Sequence, residues 1–72
     1  MSATSRRQRH LGELRDLCRT GMLARAVDLA FEHFTAFGHD ADVIDLLAGA
    51  LERGEASDEV RRRFADLRSS SR

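Results

Sequence analysis

Four stretches of the chain repeat apolar residues at helical spacing, and a glycine follows each of the first three. In the first, Leu11, Leu14, Leu17 and Cys18 fall on one face. In the second, Met22, Leu23, Ala26, Val27, Ala30, Phe31, Phe34 and Phe37 make a broad stripe, with Arg25, Asp28, Glu32 and His33 assigned to the opposite face. The third holds Val43, Ile44, Leu46, Leu47, Ala48, Ala50 and Leu51. It is apolar almost all round, which predicts the most buried helix. Val60, Phe64 and Leu67 give the fourth its apolar face. Start and stop signals bound these stretches. Ser5 with Gln8 three residues on has the form of a capping box. Asp40 opens the third segment, with Asp42 and Asp45 in its first turns at the positive end of the helix dipole. Ser57 caps the fourth, beside Asp58 and Glu59. Gly21, Gly38 and Gly54 act as stops. The pattern predicts helices over 6–20, 22–37, 41–53 and 57–69. Their short connections force neighbours antiparallel. No period-two segment or hairpin-turn dipeptide occurs, and there is no proline. The expected fold is therefore all-α: four short antiparallel helices forming two helix-turn-helix hairpins, 6–37 and 41–69. They lie in one domain over 6–69, with loose segments at 1–5 and 70–72.

The two hairpins resemble each other. At a shift of 33 residues Leu11 meets Ile44, Leu14 meets Leu47, Cys18 meets Leu51, Val27 meets Val60, Phe31 meets Phe64, Phe34 meets Leu67, and Gly21 meets Gly54. Two helices in a unit of about 34 residues is the period of tetratricopeptide repeats. Over roughly 8–69 the chain resembles two such repeats, the alternative being a plain four-helix bundle. It departs from the family pattern at Arg15, where a small residue is usual, and at Val27, Phe34, Val60 and Leu67, where alanine is usual. It also lacks the closing proline. The resemblance implies a binding face built from the first helix of each hairpin, with Arg9, Asp16, Arg19, Asp42, Asp45 and Glu52 at its outward positions, where that family grips an extended peptide or a partner helix.

Size adds a constraint. A core built from 72 residues rarely supplies more than ~3–5 kcal/mol, and stacked hairpins leave an apolar end uncovered. A homodimer or an obligate complex is the simplest remedy. Charge is segregated along the chain, although its 12 arginines and 12 acids cancel. Residues 1–27 carry six arginines against two acids, 28–59 nine acids against one arginine, and 60–72 five arginines against one acid. Such blocks serve solubility, or steer an interface that weakens with salt.

Candidate chemistry is sparse. Cys18, the single cysteine, reads as a small buried hydrophobe with no base or pKa-lowering neighbour in view. His10, His33 and His39 lack metal-ligand spacing and read as surface residues. No metal or cofactor is implied. Asp42 and Asp45 read as first-turn charges and not as an acid–base pair. No catalytic motif occurs, so no enzyme is expected. The rival reading is a nucleic-acid-binding or transcriptional accessory protein, with Arg6-Arg7-Gln8-Arg9 and Arg61-Arg62-Arg63 on phosphates and 57–69 as a recognition helix. That register needs core residues where Arg53, Glu55 and Arg63 stand, and it leads into the groove with two carboxylates. With no apolar run of ~18 residues and no leader, a cytoplasmic protein is expected. Arginine and alanine without lysine point to a GC-rich, bacterial genome. The favoured function is a non-catalytic helical interaction or assembly module.

Overall fold

The computed structural model describes residues 3–70 and contains four helices: α1 (Ala3–Arg19), α2 (Leu23–Phe37), α3 (Ala41–Arg53) and α4 (Asp58–Ser70). Among the described residues no strand occurs, and no helix is long and apolar enough to cross a membrane. Met1, Ser2, Ser71 and Arg72, assigned to loose termini, lie outside the described residues. Because α1 begins at Ala3, Ser5 and Gln8 sit inside the helix, so Ser5 is not its cap. The other helix bounds fall within a residue of the expected ones.

The connections work as their residues require. Gly21 takes φ +80°. Its amide donates to the Cys18 carbonyl at 3.2 Å, and the next amide, of Met22, donates to the Leu17 carbonyl at 2.9 Å. That pair of bonds closes α1 in a Schellman-type turn, which needs the left-handed conformation at the glycine. Gly38, at φ +83°, ends α2 by donating to the Phe34 carbonyl. Asp40 caps α3 by accepting from the Asp42 amide. The Ser57 hydroxyl accepts from the Val60 amide at 3.2 Å at the head of α4, as the sequence predicts.

Long-range pairs fix the directions of the helices. Arg7, early in α1, meets Asp40 and Asp42 at the start of α3. Arg15, Cys18 and Arg19, late in α1, share a groove with Leu46, Ala50 and Arg53 of α3. So α1 and α3 run parallel and touch, and α2 runs antiparallel to both. Arg61, early in α4, donates to the carbonyl of Leu51, late in α3, as antiparallel neighbours joined by a short turn do, so α4 runs parallel to α2, with Arg63 at mid-α4 paired to Asp28. α2 and α3 each touch the other three helices, whereas α1 and α4 do not touch among the described residues. The result is two antiparallel hairpins stacked side by side.

The core between them is a single cluster, with Leu14, Ala26, Val27, Ala30, Val43, Leu47 and Leu67 fully or almost fully buried. Three expectations change. α3 does not stand out as the most buried helix: α2 buries five of its 15 residues and α3 four of its 13. Met22, expected in the apolar stripe, lies outside α2 and is 45% exposed. The uncovered apolar flank is narrower than the sequence implies. Leu17, Leu29, Ile44 and Ala48 are half-buried, and arginine side chains lie across the aromatic rings, Arg63 over Phe31 and Arg68 over Phe64.

Candidate functional site

One groove of about 560 Å³ runs between the later halves of α1 and α3 and is within the size range of ligand pockets. Its apolar floor includes Cys18, Leu23, Leu46 and Ala50, and Arg15, Arg19 and Arg53 stand around it, with Glu55 as the single acid. Cys18 is half-buried, not fully buried as expected, and is a free thiol. Burial pushes that thiol upward and the nearby Arg53 charge partly offsets it. The protonated form is favoured, so Cys18 is a poor nucleophile at neutral pH.

A second groove of about 460 Å³ lies between α1 and α2. It has the opposite character. Leu17 and Leu29 form its apolar part, and Glu13, Asp16, Asp28 and Glu32 surround it with Arg25 as the single base.

All six residues placed on the binding face by resemblance are exposed: Arg9, Asp16, Arg19, Asp42, Asp45 and Glu52. Asp16 and Arg19 pair with each other at 2.8 Å on consecutive turns of α1. Asp42 sits at the other end of the α1/α3 layer and is tied to α1 by Arg7 at 2.7 Å. Arg19 alone of the six lines the basic groove, and Asp16 alone lines the acidic one.

The largest departure from the sequence reading is at the histidines. His33, assigned to the solvent face, is completely buried. Its Nε2 lies 3.0 Å from Asp40 Oδ2, and its Nδ1 lies 3.0 Å from Nδ1 of His10, which is half-buried. A carboxylate only accepts, so His33 Nε2 carries the proton. The two Nδ1 atoms are hydrogen-bonded to each other, one donating and the other accepting. Between the two Nδ1 atoms there is room for one proton only. Phe37 packs against both rings, with centroids 5.5 Å from His10 and 4.9 Å from His33.

Asp40 is the centre of this network. Oδ2 accepts from Arg7 Nε at 2.8 Å and from His33, while Oδ1 accepts from the second Arg7 nitrogen at 3.0 Å and from the Asp42 amide at 3.2 Å. The Arg7 hydrogen bonds, and then that from His33, hold the Asp40 carboxyl at about 2, below its ordinary value of 3.8, against the opposing effect of burial. The same pairing with Asp40 and Asp42 raises Arg7 further above its ordinary value. One carboxylate thus joins the start of α1, the end of α2 and the start of α3. Sequence spacing hides this network, because its members are 7 to 35 residues apart. A signal for His33 is nonetheless present: Ala26, Ala30, His33 and Phe37 recur at i, i+4, i+7 and i+11, on the core stripe. His39 is exposed and edges onto the Phe34 ring. Among the described residues no group of three histidine, cysteine or carboxylate side chains is placed to hold a metal ion.

The arginine clusters are partly committed within the chain. Arg7 serves Asp40 and Asp42. Arg63 serves Asp28 and Phe31, and Arg61 donates to the Leu51 carbonyl at 3.2 Å. In α4, the helix of the recognition reading, Val60, Phe64 and Leu67 face the core. No protein-family model, curated protein or solved structure matches the chain.

Proposed function

We propose that the protein is a non-catalytic interaction and assembly module whose α1/α3 groove takes an acidic segment of a partner protein. The observation that carries this reading is the groove itself. Three arginines surround a mostly buried apolar floor, open at Cys18 and Leu46, on the layer formed by the first helix of each hairpin, the layer that a tetratricopeptide-like arrangement uses for peptides. Carboxylates of a peptide would meet Arg15, Arg19 and Arg53, and an apolar side chain between them would rest on Leu46 and Ala50. Arg19 is half-engaged already, through its exposed pair with Asp16, and such pairs exchange at little cost.

Titration of a fluorescent, leucine-containing Asp/Glu peptide against the protein tests this. Saturable binding is expected, weakened ~10-fold or more by Arg19→Glu with Arg53→Glu and weakened by added salt. Absence of binding at ~50 mM salt, or binding indifferent to both reversals, would refute it. A parallel titration with duplex DNA separates the nucleic-acid reading. Duplex binding that persists in the double variant while the peptide fails to bind would favour that rival.

A further inference from the structure

We infer that two copies of the chain pair through the outer face of the second hairpin, about a two-fold axis parallel to its helices, so that α3 of each copy lies antiparallel on α4 of the other. This rests on the reading as an assembly module and uses a face other than the α1/α3 groove.

The packing of the hairpins defines the face. The first hairpin covers one side of the second, with α1 on α3 and α2 on α4. On α3 the covered side holds Leu46, Ala50 and Arg53, which line the groove shared with α1. Asp45, Ala48 and Glu52 recur at i, i+3 and i+7 on the other side of that helix. On α4 the covered side holds buried Leu67 and also Arg63, the partner of Asp28 and Phe31. Arg61, Ala65 and Arg68 recur at i, i+4 and i+7 on the side away from Arg63. Half-buried Ile44 and Ala48 give the face an apolar strip, whereas Asp45, Glu52, Arg61, Ala65 and Arg68 are exposed. Arg61 is held there by the Leu51 carbonyl at 3.2 Å, and Arg68 lies over the Phe64 ring, 5.8 Å from its centroid. Asp45 and Glu52 make no ion pair among the described residues.

Charge and spacing choose the occupant. The acids stand on α3 and the arginines on α4, so the face complements itself only when α3 of one copy meets α4 of the other. The positions can be counted from the turn that joins the two helices. Glu52, Ala48 and Asp45 stand one, five and eight residues before Arg53, the end of α3. Arg61, Ala65 and Arg68 stand three, seven and ten residues after Asp58, the start of α4. The offset is two residues for each pair, or about 3 Å along the helix axis, which an arginine side chain spans. A two-fold axis along the α3/α4 seam keeps every residue at its own height. It sets Glu52 beside Arg61 of the second copy, Asp45 beside its Arg68, and Ala48 on its Ala65, where two small side chains let the helices approach closely. A two-fold axis across the helices would instead lay α3 on α3, acid against acid. The α1/α2 groove fails as a self-pairing surface for the same reason, because both of its helices contribute acids. An isologous contact of this kind uses the whole face on both copies, so assembly closes at two chains.

Sedimentation equilibrium of the intact chain tests this. At low salt the mass should rise with concentration to that of two chains and no further, and it should fall toward one as salt is added. Arg61→Glu with Arg68→Glu makes both helices of the face acidic, and Asp45→Arg with Glu52→Arg makes both basic. Each double variant alone should associate ~10-fold or more weakly than the parent, and an equimolar mixture of the two should recover a pair. All four reversals in one chain should restore pairing. The four positions are exposed, and circular dichroism reports whether each variant keeps its helices. If a reversal unfolds the chain, Ala65→Gln replaces it, adding bulk without charge at the centre of the face, and should weaken association several-fold. A parent that stays monomeric at the highest attainable concentration overturns the proposal, as does a mass that grows past two chains. Folded variants that associate like the parent, or a mixture that fails to recover, overturn it too. Arg19→Glu with Arg53→Glu should leave pairing intact while weakening acidic-peptide binding, so failure of one reading is distinguishable from failure of the other.

Discussion

The two ends of the α1/α3 layer are built in opposite ways. Where these helices begin, Arg7, His10, His33 and Asp40 form a closed polar network in which every oxygen of Asp40 is used twice. Where they end, Arg15, Arg19 and Arg53 stand around an open groove with a half-buried thiol and an apolar floor. A buried polar network tolerates few alternative arrangements, since any shift leaves a desolvated donor or acceptor without a partner. The closed end therefore sets the spacing and direction of α1 and α3, and the open end, which carries no such network, is where the proposed function places a partner. The two ends predict different responses to substitution, large at the closed end and small at the open one.

The largest effect is expected at the closed end. Asp40→Ala removes the α3 cap and leaves Arg7 and buried His33 without their acceptor, so about 3 kcal/mol of stability should be lost, measured by urea unfolding. Asp40→Asn keeps a capping oxygen and should cost less. Acid adds a direct test. The Asp40 carboxyl sits at about 2 in the fold against an ordinary value of 3.8. A depressed carboxyl stabilises the fold above its unfolded value, and that contribution fades as pH falls from about 4 to about 2. The difference corresponds to about 2 kcal/mol. Asp40→Asn should flatten the pH dependence of stability in that window. An unchanged acid limb would mean that the network is not formed in solution.

His33→Leu comes next. It fills the space with apolar atoms but leaves Asp40 with one acceptor site unmet and His10 without its partner, for a loss of about 2 kcal/mol. His10→Ala, at a half-buried position, should cost about 1 kcal/mol. Equal effects at the two histidines would place both at the surface, as the sequence alone suggests.

That contrast shows how far the sequence carries. The helices are legible because their apolar spacing, glycine stops and serine and aspartate caps are local signals, and each acts within a few residues of itself. Asp40 is legible as a helix start for the same reason. Its second role is not, because Arg7 and His33 reach it only after three helices have packed. Polarity assigns His33 to the solvent face, yet it shares the stripe of Ala26, Ala30 and Phe37. Polarity misplaces a residue whenever tertiary structure supplies its hydrogen bonds. The grooves lie between these cases. Arg19 and Asp16 each line one, but their sorting into a basic and an acidic groove depends on which neighbouring helix each one faces, and sequence spacing does not record that.

Between the ends, Arg63 holds α4 to α2 through Asp28 and the face of Phe31. Both partners are partly solvated, so Arg63→Ala should cost only about 0.5–1 kcal/mol. Arg63→Lys should recover part of the ion pair and less of the ring contact. A double-mutant cycle with Asp28→Ala separates the two contributions, and zero coupling would show that the ion pair contributes nothing.

The smallest stability effect, and the sharpest test of the open end, is expected at Arg53. It is exposed, and Arg53→Ala should leave stability within about 0.5 kcal/mol of the parent. It should change the chemistry of Cys18 all the same. Burial raises that thiol, and the Arg53 charge is what opposes the rise. Removing the charge leaves burial unopposed, so the thiolate fraction falls at any pH below the thiol's own titration, and alkylation by iodoacetamide should slow. The variant also opens the groove, which by access alone would speed the reaction, so the two effects carry opposite signs. Measuring the rate across pH separates them, because a charge effect moves the midpoint upward whereas access changes only the plateau. A midpoint that does not move would put Arg53 away from Cys18 in solution, and the groove would then lack one of the three arginines that give it its charge.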